Sequence, residues 1–288
     1  MIKFNCNGCG ACCFGGISLT QEEYMNRLYS DFAIKLSLSV YDARNLISPE
    51  FPEVSYKKQK KFLSDNFNVA IKTNSNRKVA VFVEFLTVST ARVKCRHLNE
   101  FNECSIYLRR PLVCSLYPYR IDVVPSEMKH GLLIEKSRSR EAKEGDMKCE
   151  GFTDFGEVIF TDRPSDNTVL HDFNSRVKEL SLHRRDIKAF IQYIIKGEQL
   201  MQEIEHNSQY NAPTGKRITL SLADYAKFKI SESGYLPSSV KRLLEHNGAL
   251  LDMEADRMEK LNLDNMENYI DTLRADALTH HLIVATHE

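Results

Sequence analysis

Apolar residues in this chain follow two rhythms. Between about residues 68 and 160 they come in short, branched and aromatic runs, at 68–72, 79–85 (VAVFVEF), 119–124, 132–136 and 157–160. Such runs read as strands, because β-branched and aromatic side chains fit a pleated, half-buried surface. Pro118 and Pro125 bound the third run, and a residue without an N–H is a poor member of a ladder. From about residue 166 apolar positions recur at spacings of three and four, through VLHDFNSRVKELSLHRRDIKAFIQYIIKGEQLMQEIE. That period predicts amphipathic helix, with Phe190, Tyr193 and Ile194 as core. Pro213 and Gly215 break it. Ser221 is a candidate N-cap for a helix through Phe228, Pro237 and Ser238 open another through Leu251, and two more helical stretches reach about residue 284. Near the start, Thr20 and Glu23 form a capping-box pattern that puts Tyr24, Leu28 and Phe32 on one helix face. The stretch 37–66, with Pro49, Pro52 and the run Lys57, Lys58, Lys60, Lys61, reads as a variable, solvated connection. The expected fold is α+β: a cysteine-rich domain with a small sheet over 1–165, then a helical bundle over 166–288.

Charge narrows the function classes. Lysine plus arginine balances aspartate plus glutamate at 39 each, so no net field draws nucleic acid or an anionic membrane. No segment approaches the ~18 apolar residues of a membrane span, and no basic-then-apolar leader precedes the first cysteines. The expectation is a cytoplasmic protein with no membrane partner and no strong nucleic-acid signal, its protein or small-molecule partner unidentified. In that compartment disulfides are rare, and dense cysteines point to metal binding or catalysis.

All eight cysteines lie in the first 149 residues: Cys6, Cys9, Cys12, Cys13, Cys95, Cys104, Cys114 and Cys149. Cys6-Asn7-Gly8-Cys9-Gly10 can wrap one metal ion in a tight turn, with glycine supplying the positive φ such turns need. Cys12 continues the spacing, so three thiolates can converge. Cys13 diverges from its neighbour, as a core thiol or as a ligand of a second centre. A local turn supplies two or three ligands, and the stretch 95–114 is the obvious source of the rest. His97 could add a nitrogen, although a surface histidine is the simpler reading. Tyr107, Tyr117 and Tyr119 are expected to pack over the cysteine core, Arg109 and Arg110 to face solvent or nearby carbonyls, and His280 and His281 to be exposed.

CNGCGACC resembles the C-x-x-C-x-x-C-C signature of the YkgJ-like cysteine-cluster family. The likeness continues through Cys95 and Leu98, Cys104-Ser105-Ile106-Tyr107, Arg110-Pro111-Leu112-Val113-Cys114 and Tyr117-Pro118. Cys149-Glu150-Gly151 matches the family's last element, with its usual second glycine displaced. The resemblance implies chelation of zinc or iron, the latter as an ion or an iron–sulfur cluster, by the eight cysteines. Zinc and iron–sulfur centres both take four thiolates, and eight thiolates exceed the need of one structural zinc. A flagellin lysine N-methylase carries a similar cysteine domain, which implies a protein-modifying enzyme as an alternative. A second alternative is an interaction module stapled by metal. The one G-x-G, Gly8-Cys9-Gly10, opens no Rossmann unit, and no P-loop, H-E-x-x-H or G-x-S-x-G is present.

Overall fold

The computed structural model describes residues 2–4, 10, 13, 15–42, 69–89, 93–124, 129–134, 157–160, 164, 166–208 and 216–287. The fold is α+β. Two units interleave along the chain: Met1–Ile17, Ser89–Val124 and Lys129–Glu179 form the first, and Ser18–Val88, Pro125–Met128 and Leu180–Glu288 the second. The change of rhythm near residue 165 falls inside the first unit.

The second unit is organised by a strand that the sequence reading took for the edge of a connection. β3 (Ile34–Asp42) pairs antiparallel with β5 (Lys78–Thr87), from Ile34↔Thr87 to Asp42↔Val79. On its other side it pairs with β9 (Lys216–Leu220), from Leu36↔Leu220 to Val40↔Lys216. The short β2 (Ser18–Leu19) and β4 (Val69–Lys72) both pair with β5. Ile34, Leu36, Leu38 and Val40 are buried on one face, and Ser37 and Ser39 are buried on the other. A strand covered on both faces tolerates small hydroxyls where packing is tight, so its alternation is less plain than that of a half-exposed strand.

The predicted first helix is shorter than its apolar spacing suggested. α1 (Gln21–Glu23) has the expected box, with Glu23 N–H donating to Thr20 Oγ1 at 3.0 Å and Thr20 N–H to Glu23 Oε2 at 2.9 Å. It continues as one π turn (Tyr24–Leu28). The long helical stretch divides into α3 (Asn167–Leu182), α4 (Arg184–Ile194) and α5 (Glu198–Ser208), interrupted at His183 and around Gly197. (α2, Leu112–Ser115, belongs to the first unit.) α6 (Leu222–Ser233) starts on Ser221 and stops at Gly234, which has φ 77°. α7 (Ser238–Leu261) is one helix well beyond Leu251, and α8 (Glu267–Ala285) closes the chain. Leu250, Leu251, Ala255 and Met258 of α7 pack with Ile270, Leu273 and Ala277 of α8, against Ala33 and Val88.

Two polar anchors tie these helices down. Asp186, in the first turn of α4, accepts from Gln21 Nε2 at 3.1 Å, from the Tyr225 hydroxyl and from the Lys229 ammonium, joining three remote elements. Burial, and then the Asp186 carboxylate, hold the Tyr225 phenol far above its ordinary range. The other anchor is His280. It was expected to be exposed, but it has no exposed surface, because it shares the stripe of Ile270, Leu273, Ala277 and Val284 on α8. The helical period overrides residue type here. His281, one position on, is exposed as expected.

His280 Nε2 lies 3.2 Å from Ser221 Oγ, and its Nδ1 has no partner among the described residues. Burial is the main cause that pushes its pKa down from 6.5 to about 4. The folded protein therefore refuses a proton that the unfolded chain accepts. Stability from this group is complete above about pH 6.5, falls as pH drops toward about 4, and levels off below. The loss amounts to ~1.4 kcal/mol per pH unit, or roughly 3 kcal/mol over the window. Urea midpoints at pH 7, 6 and 5 are expected to fall steeply in the wild type and less so in H280Q. Equal slopes in the two proteins would remove His280 as the cause.

Candidate metal centre

The first unit is built around the loop from Cys95 to Cys114. Its turns are specified by asparagines. Asn99 Oδ1 accepts from Phe101 N–H at 2.9 Å and Glu103 N–H at 2.8 Å, while Asn102 adopts φ 61° and its Oδ1 accepts from Lys94 Nζ at 2.7 Å. Short polar side chains tolerate that left-handed backbone and bond locally to it. Leu98 and Cys104 form an antiparallel bridge, and Ser105 N–H donates to the His97 carbonyl at 2.8 Å. A 3-10 turn (Tyr107–Arg109) follows, then Pro111 and α2 (Leu112–Ser115), where Cys114 N–H donates to Pro111 O at 2.8 Å. Pro111 suits this place, since the first N–H groups of a helix have no intrahelical partner.

Gly10 and Cys13 lie on this loop. Cys95 N–H donates to the Cys13 carbonyl at 2.7 Å, and Cys13 N–H donates to Gly10 O at 2.9 Å. Gly10 has φ 70°, and a Cβ placed there would lie 3.2 Å from Leu98 Cδ1 and 3.5 Å from Asn102 Cβ. The backbone angle favours glycine, and an added Cβ would also push the end of the Leu98 side chain aside by a few tenths of an ångström.

A second attachment runs through aromatic residues. β1 (Ile2–Phe4) pairs antiparallel with β8 (Glu157–Phe160). The Phe4 ring meets Tyr117 edge-on at 5.9 Å, and the Tyr119 hydroxyl donates to Ile159 O at 2.6 Å. Tyr119 is buried among Phe4, Tyr117, Leu132, Ile159 and Val169. β6 (Tyr119–Val124) and β7 (Lys129–Ile134) form their own antiparallel ribbon. Burial, and secondarily Asp166, raise the Tyr119 phenol above its usual range.

Tyr119 is buried and Tyr117 half-buried, in a cluster with Phe4, Leu132, Ile159 and Val169, and Tyr107 is not packed. It is 60 % exposed, with the Arg110 guanidinium 4.2 Å over its ring. The 3-10 turn points it outward while Ile106, beside it, is buried. Arg109 is exposed, as expected. His97 is half-buried, with Nδ1 3.5 Å from Ser105 Oγ. The contact of Gly10 with Leu98 and Asn102 carried no signal in the cysteine spacing. The asparagines that shape the loop could have been found from their turn preference.

The thiols of Cys13, Cys95, Cys104 and Cys114 are all half-buried within this one unit. Cys6, Cys9, Cys12 and Cys149 lie outside the described residues. Among the described residues, no three Cys, His, Asp or Glu side chains gather into a group able to hold a metal ion. The donor chemistry fits zinc or iron, which soft thiolates select. A four-ligand centre here would draw at least two of its ligands from beyond the described residues. Among the described residues, no helix is long and apolar enough to cross a membrane.

A family model, CxxCxxCC, described as "Putative zinc- or iron-chelating domain", matches residues 5–150. No curated protein and no solved structure matches the chain.

Proposed function

The chain belongs to the CxxCxxCC family, and from that premise we propose that it is a thiolate metal-binding protein whose eight cysteines hold zinc or iron, the latter as an ion or an iron–sulfur cluster. The observation that carries the reading is the 2.7 Å bond from Cys95 N–H to the Cys13 carbonyl. It sets the backbone of Cys13, the last cysteine of the N-terminal run, against that of the 95–114 loop, although the two are remote in sequence. Around that contact, the Phe4 and Gly10 anchors flank Cys6 and Cys9 in the chain, and β8 follows Cys149. Ligands for one centre can then come from three segments, which makes the metal part of the fold as well as its cargo. Eight thiolates suffice for two four-ligand centres, and that number favours iron over a single structural zinc.

Anaerobic purification followed by elemental analysis and an absorption spectrum tests this. The expected result is at least one tightly bound zinc or iron per chain, with visible charge-transfer absorption if the centre is iron–sulfur. A metal-free protein that stays folded and leaves every thiol open to alkylation would overturn the reading. Binding of S-adenosylmethionine by the purified protein would redirect it toward a protein-modifying methylase.

A further inference from the structure

The first unit holds apolar side chains in water on a firm support. Leu108 is 100 % exposed at the centre of the 3-10 turn, next to the exposed Tyr107. The turn is closed by Arg109 N–H to Ile106 O at 2.9 Å and by Tyr107 N–H to Cys104 O at 3.2 Å. Arg110, stacked on the Tyr107 ring, adds a guanidinium beside the knob, and the exposed Arg109 adds another.

The second unit carries a surface of opposite character. Leu278 and Leu282, one turn apart on α8, are exposed, and so is Met253 on α7. His281 meets Asp252 at 3.3 Å, and Arg274 meets Asp256 at 3.3 Å and Glu259 at 2.7 Å, so Met253 is bracketed by contacts between the two helices. This ridge is rimmed by three carboxylates and one guanidinium, all at least 43 % exposed.

We propose that the basic knob and the acidic ridge are the two halves of one interface between copies of this chain. Leu108 and Tyr107 of one copy lie on Met253, Leu278 and Leu282 of the next, with Arg109 and Arg110 facing Asp252, Asp256 and Glu259. Charge complementarity selects this occupant, and a formal net charge of zero offers no long-range repulsion between copies. Aromatic and arginine side chains at the centre of the contact are the usual carriers of interface energy. The contact is head-to-tail, so each copy keeps one unused half. It does not depend on the metal reading.

The test is sedimentation velocity of the full chain as purified, from about 1 μM to about 100 μM, where small transient interfaces form. The mean sedimentation coefficient should rise with concentration, and less so in high salt. L108E and L278E should each weaken association ~10-fold or more, with metal content and circular dichroism unchanged. An equimolar mixture of the two should form a heterodimer and nothing larger, because each variant keeps the half the other lacks. L108S and L282S repeat the test should a glutamate variant fail to fold. A monomeric wild type, single variants that associate like the wild type, or a mixture that stays monomeric would each overturn the proposal.

Discussion

Replacing Cys95 by serine is expected to remove bound metal and lower the melting temperature together. Cys95 is the cysteine whose own N–H holds the N-terminal segment, at Cys13 O. Closing the long loop between those residues costs only a few kcal/mol of chain entropy. A structural zinc site can return ~10–16 kcal/mol, so the metal dominates the balance. A serine oxygen in place of a thiolate keeps the shape and loses the soft donor that zinc and iron prefer. Metal per chain is measured by elemental analysis, and melting temperature with and without chelator. The wild type and the variant should differ widely when loaded and converge once both are stripped. C9S should behave alike if the N-terminal turn shares the centre. Full metal content and an unchanged melting temperature in C95S would exclude Cys95 as a ligand and favour a site confined to the N-terminal turn. A truncation at residue 165 is a poorer test of the same idea, because it removes β9 from the edge of β3 along with the helices.

The strands that could be read from sequence were those with branched or aromatic side chains. β5, β6 and β8 fall on VAVFVEF, 119–124 and 157–160 with little displacement. β3 escaped because its second face carries Lys35, Ser37 and Ser39, and because the prolines and lysines that follow give the whole stretch the texture of a connection. β9 escaped because Pro213 and Gly215 signalled an interruption, and a five-residue edge strand directly after a break has no pattern of its own. Its existence is a tertiary fact, set by the open side of β3. The cysteine spacing announced metal chemistry but not its supports. The Gly10 approach to Leu98 and the outward Tyr107 depend on how the 95–114 loop folds, whereas the Asn99 and Asn102 turns follow from the turn preference of asparagine. His280 shows the reverse case, a polar residue whose burial was already written in the period of its helix.

Asn247→Leu should cost the second unit roughly 3 kcal/mol or more, although leucine has the same branched arrangement of side-chain heavy atoms. β9 begins its pairing with β3 only at Leu36, which leaves the N–H and C=O of Ile34 without a strand on that side. Asn247 of α7, with no exposed surface, supplies both partners: its Oδ1 accepts from Ile34 N–H at 2.8 Å and its Nδ2 donates to Ile34 O at 3.2 Å. The same Oδ1 takes the hydroxyl of the fully buried Tyr24 at 3.4 Å. One amide thus stands in for a missing strand and fastens the hairpin of α7 and α8 to the sheet. Leucine would fill the space and leave three buried polar groups unpaired, at about 1–3 kcal/mol each. Against a total domain stability of ~5–15 kcal/mol, that is a large fraction. Urea denaturation followed by circular dichroism measures it. Y24F, which removes only the longest of the three bonds, should lose about 1 kcal/mol or less. An N247L protein within ~1 kcal/mol of the wild type would mean that water or a rearranged β9 satisfies Ile34, and that the amide is a passenger in the core.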